Sequence, residues 1–399
     1  MNRIIYVTGL MSERTFQNTE LPFWEKDLRI DFTIWAYEGG TPIISDDVHK
    51  GDNVVVIKKE ELGDRIKTNL TAFFVVESHD PAILSQFENI KCDYITFAGS
   101  MVQPSMLYYR EGYGKVSLFF NKLKAFTKRN FKENVKLIKS KIIQKEGDIK
   151  EINHPRALIV PTKYATESAL NARQKGENIL YVHRFDYDRY LRVNRNNDRQ
   201  LNKYIVFVDS AMADLHPDWV RLGYESNVRK NRDRYYAQLE RFFNILEEHY
   251  GIPVIIAGHP GAEYDEKSYS GREIVIGNTC ELIRDARIVI FDISSAINYA
   301  LLYDKEIVYH YSDDYTDMIY GIADMGSGYI RHIAEGILGL CALNLSDENV
   351  YQKPWEYIKR VDKDTREEYI KKYIIDSNVK DVTTSEFLID RIISNNWEQ

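Results

Sequence analysis

Residues 288–310 read IVIFDISSAINYALLYDKEIVYH, and their pattern decides the fold. Ile288–Phe291 is a short apolar run without polar alternation, the pattern of a strand buried on both faces. Asp292 follows, and Ser294-Ser295 opens a stretch with helical spacing. Glu306–His310 then returns to a strand pattern, which completes a β-α-β unit. The same kind of run recurs along the chain. In the first half the runs are Ile4–Val7, Phe32–Ala36, Val54–Ile57, Ala72–Val76, Tyr94–Ala98, Ala157–Val160 and Ile179–Val182. In the second they are Tyr204–Val208, Val254–Ala257 and Glu273–Ile276, beside the two already quoted. Between them Arg232–His249 carries Tyr235, Leu239, Phe242, Phe243 and Leu246 on one helical face and stops at Gly251-Ile252-Pro253. Alternating strand and helix signals predict an α/β chain of doubly wound parallel sheets.

The chain has 399 residues, enough for two such domains at roughly 100–200 residues each. The polar stretch Arg189–Lys203 is the best boundary. It predicts a first domain over 1–195, a second over 203–365, and a helical tail over 366–399 that crosses back to the first. Lys plus Arg total 53 against 60 Asp plus Glu, and this net charge of −7 argues against nucleic acid as a partner. Three cysteines, Cys92, Cys280 and Cys341, suit a reducing compartment rather than a disulfide framework. No leader and no membrane-spanning run is visible in the sequence, so the expectation is a cytoplasmic protein. One segment departs from the acidic average. Residues 115–145 hold ten Lys/Arg and one acid, Glu133, interleaved with Phe119, Phe120, Leu123, Phe126 and Phe131. Two readings stand: a basic amphipathic surface for an anionic membrane or acceptor, or an ordinary helix pair with a solvated Lys face.

Four places could carry chemistry. In Val254–Gly261, VIIAGHPG, a buried strand delivers Gly258, His259 and Pro260 at its carboxyl edge. Ligands of open α/β sheets bind there, and a His can meet a phosphate or protonate a leaving group. Ser294 and Ser295 open a helix, where they are either caps or hydroxyls of an anion site. Glu281 follows the strand Glu273–Ile276 in a first helical turn, where it either answers the helix dipole or accepts hydrogen bonds from ribose hydroxyls. Glu111 lies in the Gly-rich stretch Tyr108–Ser117, as a turn residue or as a general base. Asp209, Asp214 and His216, after the strand that opens the second half, are further candidates to contact donor or acceptor, or parts of a capped turn with Pro217. Asp186-Tyr187-Asp188 is an Asp-x-Asp triplet of the kind a metal-dependent transferase would carry, and it reads as a solvated or ion-paired loop rather than a metal site.

Taken together, Arg110-Glu111-Gly112, His259-Pro260 and Ser294-Ser295 resemble the bacterial sialyltransferase-type glycosyltransferases of the GT-B fold. The order is an acidic-acidic-Gly motif, then His-Pro, then a Ser/Thr pair; Arg110 stands where the first acid would be. The resemblance covers three short motifs and the two-domain layout. It implies two Rossmann-like domains facing across a cleft, with Glu111 as base, His259, Ser294 and Ser295 on the donor phosphate, and Glu281 on the ribose. It also implies a CMP-activated donor carrying sialic acid, another nonulosonic acid or Kdo, an acceptor on a bacterial surface glycan or lipid-linked glycan, and work at the inner face of the cytoplasmic membrane. Such transfer is an inverting displacement that needs no metal or other cofactor, because hydroxyls, a helix N-terminus and a His can meet the departing phosphate. The Ser-Ser-Ala segment with Asp313-Asp314 downstream also resembles the CDP-glycerol glycerophosphotransferases. A nucleotide-diphosphosugar transferase and a non-catalytic nucleotide-sugar-binding protein are the remaining alternatives. A Rossmann dehydrogenase is disfavoured, since Thr8-Gly9-Leu10-Met11 follows the first strand in place of Gly-x-Gly-x-x-Gly.

Overall fold

The computed structural model describes residues 2–11, 16, 19–38, 48–78, 80–97, 152–162, 178–195, 203–211, 232–260, 262–264, 268–313, 328, 330–379 and 381–397. These form two parallel sheets, each joined by helices.

The first sheet holds β1 (Asn2–Gly9), β2 (Ile30–Tyr37), β3 (Val54–Ile57), β4 (Phe73–Val76), β5 (Asp93–Phe97), β6 (Ala157–Pro161) and β7 (Ile179–Val182). Its order is β3-β2-β1-β4-β5-β6-β7, all parallel. The second sheet holds β8 (Ile205–Val208), β9 (Val254–Gly258), β10 (Ile274–Ile276), β11 (Ile288–Phe291), β12 (Glu306–Tyr311) and β13 (Ala342–Asn344). Its order is β10-β9-β8-β11-β12-β13, again all parallel. Every strand read from the sequence is present. Among the described residues the one addition is β13, a three-residue edge strand too short for its own periodic signal.

Nine α-helices are described: α1 (Leu21–Lys26), α2 (Leu62–Thr68), α3 (Pro81–Asn89), α4 (Phe185–Arg195), α5 (Arg232–Tyr250), α6 (Thr279–Asp285), α7 (Ile297–Leu302), α8 (Lys363–Tyr373) and α9 (Thr384–Ser394). Continuous apolar strands can be buried on both faces only if helices cover both. In the second sheet, Phe207, Ile256, Ile290 and Val308 pack under α5 on one face. Val206, Ala257, Val289 and Phe291 pack on the other, against α4, α7 and α8.

The junction between the two sheets differs from the sequence reading. The polar stretch from Arg189 begins inside α4, which runs to Arg195. Asp186-Tyr187-Asp188 is the first turn of that helix, not a solvated loop. Asp188 is wholly buried and accepts the Thr384 N–H at 2.9 Å. Arg192, also buried, pairs with Glu20 at 2.8 Å. These charges mimic a solvated linker in sequence because their partners are distant in the chain.

The C-terminal residues lie against both sheets. Tyr369 and Tyr373 of α8 pack into the second. Leu388, Ile389 and Ile392 of α9, with Trp397, pack beside Ile4, Trp24, Ile34 and Ile159 of the first. Full burial of such a side chain contributes roughly 1.5–3 kcal/mol. A reciprocal cap starts α9: the Thr383 hydroxyl accepts the Glu386 N–H at 3.2 Å and Glu386 accepts the Thr383 N–H at 2.8 Å. Thr383→Ala is therefore expected to lower stability by about 1 kcal/mol, read as a lower denaturant midpoint at unchanged slope. An unchanged midpoint would show that α9 does not rely on this cap.

No described helix is long and apolar enough to cross a membrane. The basic segment 115–145 and Glu111 lie outside the described residues, as do Asp214, His216 and Asp314.

Candidate active site

In the second sheet the strand order reverses direction between β8 and β11. At such a point neighbouring connections leave in opposite directions and open a crevice beyond the carboxyl ends. Val208 pairs with Ala257 on one side and with Phe291 on the other. The residues that follow these partners therefore stand along one edge: Gly258 and His259 from β9, Asp209 from β8, Asp292 from β11.

Gly258 is required by close packing. A Cβ there would meet Ile274 Cγ2 at 2.9 Å and Tyr264 Cε2 at 3.0 Å. His259 is half-buried and Pro260 exposed. The His259 N–H donates to the Tyr264 hydroxyl at 2.6 Å, and that hydroxyl donates to Asp209 Oδ2 at 2.6 Å. Asp209 also accepts the Ala211 N–H at 2.8 Å. Burial and the neighbouring Asp209 carboxylate hold the Tyr264 phenol well above its ordinary range.

Asp292 is buried too, at 2% exposure. Its carboxyl accepts from the Ser210 hydroxyl at 2.6 Å and from the Ile293 N–H. Burial, and then the Asp209 charge, push its pKa up to about 8. Two residues on, Ser294 Oγ accepts the Ala296 N–H at 3.2 Å, and Ser295 is exposed. The helix behind them, α7, has only six residues and its N-cap is Ala296. Its macrodipole is correspondingly short, so an anion placed at this turn would meet the two hydroxyls rather than a long helix N-terminus.

Glu281 lies in the first turn of α6, as the sequence predicts. One of its oxygens is taken by the Arg189 guanidinium of α4. The other, Oε2, is buried with no hydrogen-bond donor. An orphaned carboxylate oxygen is a costly feature that a donor hydroxyl would relieve.

The first sheet has its own reversal, between β1 and β4. Glu77 follows β4 there and accepts from the Tyr6 hydroxyl at 3.1 Å, and burial raises its pKa. Sequence reading missed Glu77, Tyr264 and the inward turn of Asp292. A lone acid after a strand and a Tyr in a loop have no local signature; their roles come from strand register. Among the described residues no group of three or more His, Cys, Asp or Glu could hold a metal ion.

The sequence matches no protein-family model. It also matches none of the curated proteins with which it was compared. Solved structures do match. A Listeria monocytogenes protein assigned as a UDP-N-acetylglucosamine 2-epimerase superposes with a TM-score of 0.51 at 10% identity, covering 99% of this chain and 96% of that one. The fold is of the GT-B type. Two further matches are the UDP-GlcNAc 2-epimerase of Methanocaldococcus jannaschii and the wall teichoic acid polymerase TagF. The first has a TM-score of 0.48 and 12% identity, covering 99% of this chain and 100% of that one. The second has a TM-score of 0.45 and 10% identity, covering 99% and 89%. At these identities the likeness is one of fold. In an open parallel sheet the crevice at the carboxyl edge beside the reversal, where His259, Asp209 and Asp292 stand, is the place to look for a ligand.

Proposed function

We propose that the chain is an inverting glycosyltransferase that uses a nucleotide-activated sugar. The nucleotide lies at the carboxyl edge of the second sheet. The observation that carries this reading is that the loops bearing His259, Glu281 and Ser294–Ser295 leave the same sheet edge around its topological reversal. In this reading His259, Ser294 and Ser295 meet the phosphate, the orphaned Glu281 Oε2 takes a ribose hydroxyl, and Glu111 removes the acceptor proton. The domains divide at 196–202, with the base in the first and the donor site in the second, so that the two together supply proximity. The motif order supports a CMP-activated nonulosonate or Kdo as donor and a surface glycan as acceptor, with segment 115–145 meeting an anionic membrane or acceptor. The mechanism routes no step through a metal.

A second reading takes a different nucleotide. The Listeria monocytogenes protein that superposes on this chain is named for UDP-sugar epimerisation, which makes a UDP-sugar the alternative donor. A thermal-shift panel of CMP, CDP, UDP and GDP separates the two. At 100 times Kd a ligand adds about 2.7 kcal/mol, an upward shift of a few degrees for a chain of this size. CMP is expected to give the largest shift and to keep it in EDTA. Stabilisation by UDP alone would replace the CMP reading, and a strict need for Mn²⁺ would contradict a metal-free site.

A further inference from the structure

The reversal point of the second sheet carries two carboxyl groups side by side. Asp209 and Asp292 are the residues next after the paired Val208 and Phe291, and they are 5% and 2% exposed. Neither belongs to a motif that the proposed function uses. Their hydrogen bonds run in opposite directions along the edge. From Asp209 the chain passes through the Tyr264 hydroxyl to the His259 backbone amide. From Asp292 it passes back to the Ser210 hydroxyl on the β8 edge and on to the Ile293 amide of the turn that ends in Ser294. The two loops that would meet one phosphate are thus tied to one pair of acids.

We propose that Asp209 and Asp292 are positioning residues for the nucleotide site, a buried carboxyl pair whose hydrogen bonds fix the His259 turn on one side and the Ser294 turn on the other. The inference rests on the nucleotide reading above and says how its two loops are held. Two adjacent buried carboxyls do not both ionise readily, and the second proton stays until the medium is alkaline. Asp209 accepts from the Ala211 amide and from the Tyr264 hydroxyl. Asp292 is pushed up by burial and by the Asp209 charge. The groups facing Asp292 are Asp209 and Ser210 from the β8 edge and the Ile293 amide of its own turn. Tyr264 and His259 stand beyond Asp209, and His310 holds the next position along β12. Loss of the Asp292 proton would place a second negative charge beneath a phosphate site, where it repels the ligand.

Two measurements on the 399-residue chain test this. The first is difference infrared spectroscopy of wild type against Asp292→Asn, read at the carboxylic-acid carbonyl stretch. The wild type should show a protonated carboxyl at about pH 7 that is gone at about pH 9.5 and is missing from the variant. The second is CMP binding by calorimetry between about pH 7.5 and 9.5, a window above the ordinary imidazole titration. Wild-type affinity should fall about tenfold across it, and Asp292→Asn should stay flat. Tyr264→Phe, which removes only the bridging hydroxyl, should bind about tenfold more weakly at every pH. Absence of the infrared band, equal pH profiles in wild type and Asp292→Asn, or unchanged affinity in Tyr264→Phe overturns the proposal. If the wild type binds no nucleotide at all, the functional reading fails instead, and the infrared band then decides the carboxyl pair by itself.

Discussion

Replacing Glu111 with Gln is expected to cut transfer by about 10²–10⁴-fold while CMP still binds. The amide keeps the shape of the side chain but cannot accept the acceptor's proton as its oxygen attacks. His259→Ala is expected to lose turnover to a similar extent and, unlike Glu111→Gln, to weaken the nucleotide as well, because His259 sits at the sheet edge where the phosphate would lie. The pair of variants separates chemistry from binding: one should change kcat alone, the other kcat and nucleotide affinity together. Near-wild-type turnover in Glu111→Gln would remove it from the base role. The switch-point carboxylate Glu77 would then be the next candidate in the first sheet.

The second large effect concerns stability. His310 is wholly buried in β12, ringed by Phe207, Tyr235 and Phe242, and neither of its ring nitrogens has a hydrogen-bond partner. Burial alone pushes its pKa down from 6.5 to about 3. The sign follows from proton counting. Below about pH 6.5 the unfolded chain takes up a proton that the folded chain refuses until about pH 3. Stability is therefore lost as the pH falls through this window, by roughly 2 kcal/mol at about pH 5 from this group. His310→Phe removes both the unpartnered nitrogens and the titration. Its denaturant midpoint should exceed that of wild type at about pH 7.5, and the gap should widen at about pH 5. An equal loss of stability in both proteins on acidification would show that His310 stays neutral in neither state's favour and that other groups carry the acid sensitivity.

Much of this architecture was legible in the sequence, for a physical reason. Strands buried on both faces must be continuously apolar, so the run Ile288–Phe291 matches the observed strand residue for residue. The long helix from Arg232 showed its buried stripe of Tyr235, Leu239, Phe242, Phe243 and Leu246 at helical spacing. What could not be read was anything fixed by distant partners. Asp188 and Arg192 look like solvent-facing charges until Thr384 and Glu20 are brought to them across the fold. Asp292, read only as the residue that follows a strand, gives no local sign of where its carboxyl points. Register instead sets it beside Asp209, with Ser210 bonded to it. Ser294 and Ser295 do follow a strand as the sequence reads, but the helix behind them, α7, is only six residues long and is capped at Ala296, a length the sequence does not disclose.

The central claim is that one nucleotide is shared by three loops of the second sheet. A crystal structure of the protein soaked with CMP tests it most directly. The account predicts the phosphate within hydrogen-bond reach of His259 and of Ser294 or Ser295, with a ribose hydroxyl on Glu281 Oε2. A nucleotide bound elsewhere, or at this edge but clear of His259 and the two serines, would contradict it.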